Sequence, residues 1–349
     1  MSNPLTCGSL FAGLGGFDIG FEQAGFQTRW QVEIDPNATG VLARHWPDVT
    51  RYGDIRTVDP ADLEPVDVIT FGSPCQDLSV SGLRKGLAGE RSGLFYEAIR
   101  ILAGVRPRFA VWENVPGAFS SNGGRDFAAV LTAFRECGAR EFGWRTLDAQ
   151  YFGVAQRRRR VFLVADFRGT RACEILFESE GVPRHPPSRP KTGNVIASLL
   201  ASGAGTERPA GIGSEADFCV VDSPPGACDV SAGEESSLIV THSLRAEGFD
   251  GSEDGTGRGT PIVPSGMRVR RLTPVECERL MGLDDDWTRW TGDGRELSDS
   301  ARYRLVGNAV AVPVVRWLAK RMSAVLRSEE NAGGNPQGGN NVCVTNETL

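Results

Sequence analysis

Leu5-Thr6-Cys7-Gly8-Ser9-Leu10-Phe11-Ala12-Gly13-Leu14-Gly15-Gly16-Phe17-Asp18-Ile19-Gly20-Phe21 is the stretch that sets the fold class. Residues 5–11 form an apolar run that reads as a strand, 12–16 a glycine turn, and 17–24 a helix. The same alternation continues downstream. A strand is expected at about 28–34, a helix at 37–45, and a β-branched strand at 66–71 that stops at Gly72-Ser73-Pro74. A helix at 96–102, a strand at 109–112, a helix at 127–137 and a strand at 161–165 complete the series. Strands alternating with helices predict an α/β chain with a doubly wound, mostly parallel sheet, whose ligands lie at the carboxyl ends of the strands.

The 349 residues include 38 Lys or Arg and 44 Asp or Glu, a formal net charge of −6, with 40% apolar and 23% charged. That is the composition of a globular chain, long enough for one large domain or two. No run reaches the roughly 18 apolar residues that a membrane span needs. The first basic residue is Arg29, so the charged start of a signal peptide is missing. A soluble cytoplasmic protein with no membrane partner is expected. The eight cysteines form no C-x-x-C pair and the three histidines are scattered, so neither a metal site nor a disulfide framework is expected. Most of the cysteines read as small buried hydrophobes. The acidic balance speaks weakly against nucleic acid, but binding depends on local patches, and Arg157-Arg158-Arg159-Arg160 and Arg268 with Arg270 and Arg271 supply two.

From 181 to 266 the pattern fades, with 14 Gly and 9 Pro in 86 residues. This reads as a smaller, loop-rich β module or a flexible insertion. Ser198-Leu199-Leu200-Ala201 and Ser243-Leu244-Arg245-Ala246 hint at a repeat there, no stronger than chance similarity in a Gly-rich stretch. Order resumes with Thr273-Pro274-Val275-Glu276, a capping box opening a helix at 273–281, and a last helix is expected from 310 to 326. The expected division is a catalytic and cofactor domain at 1–184, a small domain at 185–298, a returning C-terminal helix within 299–327, and a disordered tail at 328–349.

Four groups of residues carry chemistry. The glycine turn lets a ligand approach the backbone and the free N–H groups of the helix start, although a bare turn of this kind also occurs with no ligand. Its spacing is not G-x-G-x-x-G, since position 18 is Asp. Glu33, about 20 residues on, suits a ribose, and Asp54 at the next strand end suits an adenine amino group. Cys75, in Gly72-Ser73-Pro74-Cys75-Gln76, leaves the sheet where ligands bind and reads as a nucleophile, against the commoner fate of a structural thiol. Glu113, in Trp112-Glu113-Asn114-Val115, can serve as a general acid if burial raises its pKa, or merely cap or pair. Alternation sends Arg158 and Arg160 to one side of their strand and Arg157 and Arg159 to the other, so that one pair can enter a site while the other meets DNA or solvent.

Taken in order, Phe11-Ala12-Gly13-Leu14-Gly15-Gly16, Gly72-Ser73-Pro74-Cys75-Gln76, Glu113-Asn114-Val115, Gln156-x-Arg158-x-Arg160 and Arg304-x-x-x-Gly307-Asn308-Ala309-Val310 resemble the bacterial and phage C5-cytosine DNA methyltransferases. The resemblance covers about 1–167 and 269–326. It implies an S-adenosylmethionine cofactor, duplex DNA as partner, a monomer, and a cognate restriction endonuclease acting separately. It makes Cys75 the nucleophile on cytosine C6 and Glu113 the contact to N3 and the exocyclic amine, with Arg158 and Arg160 holding the base and supporting Glu113. Phe11, Gly13, Leu14, Gly15, Gly16, Glu33, Ile34, Asp54, Ile55, Pro74, Asn308 and Val310 would bind the cofactor. Gln76, Ser79, Ser81 and Gln156 would lie by the flipped base, and the target sequence would be read from the central module, with Arg245 or Arg258 as candidates for a base edge or a phosphate. Leu78 stands where the family more often has Phe. Two other readings compete: a tRNA C5-cytosine methyltransferase with the same motifs, and a nicotinamide-dependent oxidoreductase, which leaves Cys75 and Glu113 unexplained.

Overall fold

Strands β1 (Leu5–Leu10), β2 (Phe26–Val32), β3 (Thr50–Tyr52), β4 (Val68–Gly72), β5 (Phe109–Asn114), β6 (Glu141–Asp148) and β7 (Arg159–Asp166) form one sheet in the order β3-β2-β1-β4-β5-β7-β6. The computed structural model describes residues 3–73, 93–177, 196–197, 218–219, 262–265 and 268–331. β7 runs antiparallel to both its neighbours, and the other pairs are parallel. The expected mostly parallel, doubly wound α/β architecture is present, with strand order reversing between β1 and β4. Two-stranded pairs are made by β8 (Ile196–Ala197) with β9 (Phe218–Cys219) and by β10 (Ile262–Ser265) with β11 (Arg268–Arg271). The possible repeat and Arg245 and Arg258 lie outside the described residues.

Helices α1 (Gly16–Glu22), α2 (Pro36–His45), α3 (Gly93–Val105), α4 (Arg125–Glu136), α5 (Ala172–Leu176), α6 (Pro274–Leu280), α7 (Asp299–Asn308) and α8 (Val312–Asn331) surround the sheet. Alternate strand residues supply two cores. Val68, Phe109, Val111, Phe162 and Val164 face α1, α5 and α8, while Ile69, Phe71, Ala110, Trp112 and Leu163 face α3 and α4. Burial on both faces is why these strands read as continuous apolar runs. Gly20 lets α8 cross α1 closely, since a Cβ there would stand 2.5 Å from Val315 Cγ1.

The C-terminal third departs from expectation in three places. Leu272, Cys277, Met281, Leu283 and Leu297 share a core with Leu14, Ala38 and Val41, so residues 272–297, expected in the small domain, pack on the cofactor half of the catalytic domain. α7 is a separate helix, capped by Ser298, and the expected last helix begins at Val312 and continues to Asn331. Residues 328–331, expected in a disordered tail, belong to its final turn. Glu329 bonds Arg108 at 2.7 Å, and Arg108 in turn meets buried Asp166 at 3.1 Å, which anchors the helix end. Among the described residues no helix is long and apolar enough to cross a membrane.

Asp18, in the first turn of α1, is buried and ties that helix to two strands. Its Oδ1 accepts from Ser9 Oγ at 2.8 Å and Gln31 Nε2 at 3.2 Å. Asp18 Oδ2 and Gln31 Oε1 are buried without a hydrogen-bond partner, and one proton on the carboxyl would supply the missing donor. Burial pushes the Asp18 carboxyl up to about 6. A raised carboxyl favours the fold while protonated, and this contribution is lost as pH rises from the unfolded-state value of about 4 to about 6. Asp18→Asn, whose amide carries the donor at every pH, should therefore gain stability over the wild type across that window, up to about 3 kcal/mol, and hold the gain at higher pH. Urea unfolding of both proteins from pH 4.5 to 8 checks this; a difference independent of pH would refute it.

Candidate active site

The carboxyl ends of β1, β2, β4 and β5 open on a cleft of about 750 Å³ at the point where strand order reverses. One end is lined by Phe11, Gly13, Leu14, Gly16, Glu33, Ile34, Asp54 and Ile55, the other by Gly72, Ser73, Glu113, Arg158 and Arg160. Asn308 and Val310, on either side of the α7–α8 link, complete a wall. The structure thus gathers residues more than 290 positions apart in the chain into one cavity.

The glycine turn is built by conformation and by neighbours. Phe11, Gly13 and Gly15 have φ of 53°, 57° and 89°. A side chain at Gly15 would be strained by its dihedral and would strike the Trp46 ring at 2.4 Å; Gly15, expected to bind the cofactor, shapes the turn, while Gly13, Leu14 and Gly16 line the cavity. Beside Gly13 there is open space. Glu33 accepts from the Gly13 N–H at 2.7 Å and from the Asp35 N–H at 2.8 Å, one on each oxygen. Its remaining lone pairs can take two hydroxyl groups. Burial pushes the Glu33 carboxyl up, against these bonds, which pull it down. Asp54 caps the turn 55–57 and bonds Arg56, which holds its carboxyl below the usual range. Ile34 is 65% exposed on the cavity wall, an apolar surface suited to cover by a flat ring. Open backbone, a partly buried diol acceptor, an ionised acceptor and an apolar face fit the nucleoside and amino-acid parts of S-adenosylmethionine.

At the other end, register brings Gly72, Glu113 and Arg160 together. Gly72 pairs with Glu113, and a Cβ on Gly72 would stand 3.1 Å from Glu113 Oε2. Because β7 is antiparallel, its first residues meet the last residues of β5, with Phe162 opposite Glu113. Arg160 Nε then lies 3.1 Å from Glu113 Oε1. Burial pushes the Glu113 carboxyl up, and the charges of Arg160 and then Arg158 oppose it. Trp112 Nε1 donates to Ser73 Oγ at 2.9 Å and Asn114 Nδ2 to the Ser73 carbonyl at 3.4 Å, so β5 fixes the last described residue of the β4 turn. Neither Trp112 nor Asn114 was assigned that task from the sequence; their place in Trp112-Glu113-Asn114 was the available signal.

Two residues of the arginine motif have partners that the sequence reading did not assign. Arg158, expected to hold a base, is buried and donates from Nη2 to the carbonyls of Gly307 at 3.0 Å and Ala309 at 2.6 Å. It fixes the α7–α8 wall, and it also lines the cleft, where its charge bears on the Glu113 carboxyl. Gln156, expected beside the base, is fully buried; its Nε2 donates to the Leu280 carbonyl at 3.0 Å, which turns it towards α6. The other expected positions, Pro74, Cys75, Gln76, Ser79 and Ser81, lie outside the described residues.

The family model described as C-5 cytosine-specific DNA methylase matches residues 5–204 and 233–324. A Type II methyltransferase of Bacillus subtilis strain 168, M2.BsuMI, is 32% identical over 90% of this chain and 74% of its own length. A protein of Escherichia phage P1 named DNA N-6-adenine-methyltransferase is 28% identical over 94% of this chain, which spans 62% of that protein's length. Among solved structures, the Dnmt2 methyltransferase of S. pombe aligns with a TM-score of 0.62 at 19% identity, covering 93% of this chain and 99% of that one, a likeness of fold.

Replacing Arg160 by Met removes the charge closest to the Glu113 carboxyl and should push its pKa further up. Carboxyl carbon NMR titration of Glu113 in both proteins measures the shift, and an unchanged midpoint would show that Arg160 does not set it.

Proposed function

The chain belongs to the C-5 cytosine-specific DNA methylase family, and from that premise we propose that it methylates C5 of a cytosine turned out of duplex DNA, through a transient bond from Cys75 to C6. The observation that carries this reading is the partly buried Glu113–Arg160 pair at the end of β5, in register with Gly72. Covalent geometry keeps a residue two positions beyond Ser73 within about 7 Å of it. Ser73, two positions before Cys75 in the chain, lines the same cleft as Glu113.

Cytosine C5 is too weak a nucleophile to take a methyl group unaided. Attack by the Cys75 thiolate on C6 forms the S–C6 bond and moves the C5–C6 π electrons onto C5, while Glu113 delivers a proton to N3. Burial raises the Glu113 pKa, which favours the protonated form this step needs, and Arg160 steadies the carboxylate left behind. S-adenosylmethionine supplies the electrophilic methyl group when bound. Once C5 carries the methyl group, water takes the C5 proton; the C–H electrons re-form the C5–C6 double bond as the S–C6 bond breaks and releases the thiolate, and the N3 proton returns to Glu113. A base stacked in a duplex offers C6 no access, so the cytosine has to leave the helix. In this reading Glu33 binds the ribose, Asp54 the adenine amine, and the backbone about Gly13, Asn308 and Val310 the amino-acid end. The Type II names among the relatives support a role in restriction and modification, with an endonuclease of matching specificity acting separately.

Incubation with duplex containing 5-fluorocytosine, whose C5 fluorine blocks the final proton loss, should trap a covalent complex that Cys75→Ser abolishes. A complex that survives this substitution would overturn the nucleophile assignment. Glu113→Gln should lower kcat by about 100- to 10,000-fold and remove the fall in rate expected as pH rises through the raised Glu113 pKa. Competition between duplex DNA and tRNA, with base analysis of the product, decides the substrate. Methyl groups on tRNA, or on adenine N6 as in the phage relative's name, would refute the proposal.

A further inference from the structure

The segment after α6 reaches back across the molecule to the glycine turn. Trp287 Nε1 donates to the Leu14 carbonyl at 3.0 Å, a contact between residues 273 positions apart. The indole is itself fixed. Its ring lies parallel to the His45 imidazole, with centroids 3.4 Å apart and planes at 4°, and edge-on to Trp46 at 5.8 Å. His45 Nε2 stands 2.9 Å from the Trp287 carbonyl, which can only accept, so this nitrogen carries the hydrogen. The Gly292 N–H donates to the Gly40 carbonyl at 2.8 Å, which holds the same segment against α2.

Leu14 is the one residue of Gly13-Leu14-Gly15 with a side chain, and that side chain is buried among Ala38, Val41, Met281 and Val312. Its carbonyl and side chain are thus both held by the C-terminal part of the chain. The flanking glycines have left-handed φ and little intrinsic preference for one conformation. Within the turn itself the Gly15 N–H donates to the Ala12 carbonyl at 2.9 Å. Holding the Leu14 carbonyl therefore orients the whole Leu14–Gly15 peptide, and with it the cavity face of the turn.

We infer that Trp287 is a positioning residue for the cofactor: its indole N–H fixes the Leu14–Gly15 peptide so that the turn is set for the ligand before the ligand arrives. This rests on the reading of the cleft as an S-adenosylmethionine site. Nothing in the chemistry of methyl transfer requires Trp287, which lies outside the lining of the cleft, and its effect falls on binding.

Trp287→Phe keeps an aromatic ring against His45 and removes the donor. Replacing Trp287 by benzothienylalanine, which has sulfur in place of the indole N–H, does the same with the ring shape preserved. In calorimetric titration with S-adenosylmethionine and with S-adenosylhomocysteine, both variants should bind about five- to tenfold more weakly than wild type, as expected for one lost hydrogen bond to a buried carbonyl. The unfolding temperature should fall by only a few degrees, as one lost hydrogen bond dictates, and the affinity for duplex DNA and kcat at saturating cofactor should stay at wild-type values. Cofactor affinity within twofold of wild type in the benzothienylalanine protein would overturn the inference. So would a parallel loss of cofactor affinity and DNA affinity, which marks a purely structural role. Failure of the wild-type protein to bind either ligand would instead remove the cofactor reading on which the inference stands.

Discussion

A carboxyl group at the end of a parallel strand gains an arginine partner here because the neighbouring strand runs the other way. Had β7 been parallel to β5, its first residues would lie at the opposite edge of the sheet, and Arg160 could not reach Glu113. The reversal places a fixed positive charge beside a carboxyl group whose pKa burial raises. The two effects oppose each other, with burial the larger. Everything proposed for the chemistry needs that balance.

The cofactor end depends on a different kind of constraint. Glycines allow the turn its left-handed dihedrals but do not select them, and selection comes from outside the turn. Glu33 takes the Gly13 N–H from one side, and Trp287 gives its N–H to the Leu14 carbonyl from the other. Arg158 adds a third tie by holding the Gly307 and Ala309 carbonyls that form the facing wall. The cavity is assembled from the two ends of the chain, so the 272–297 segment and α7 are part of its frame.

Burial of polar groups explains most of what the sequence left unread. β6 carries Glu141, Arg145 and Asp148, which broke the apolar pattern; Glu141 is nevertheless buried, because its Oε2 accepts from the Cys173 N–H at 3.2 Å. α7 was hidden in the same way: Arg302 points inward to Glu278 at 3.0 Å and Asp286 at 3.1 Å, so the charged position is a core position. Gln156 and Arg158 also bond carbonyl oxygens supplied by α6, α7 and the α7–α8 link, contacts that motif position alone gave no way to foresee.

Local patterning was enough for the parallel strands, the glycine turn, the capping box at Thr273 and the cluster of motifs at strand ends, because each depends on periodicity or on a residue type within a few positions. It was enough, too, to single out Glu33 and Glu113, acids that stand at the ends of strands. The direction of β7, the pairing of Glu113 with Arg160, the inward turn of Gln156 and the hold of Trp287 on Leu14 were decided by tertiary structure. Each is a contact between residues about 45 to 273 positions apart, and hydrogen bonds and ion pairs of that kind leave no periodic trace in the chain.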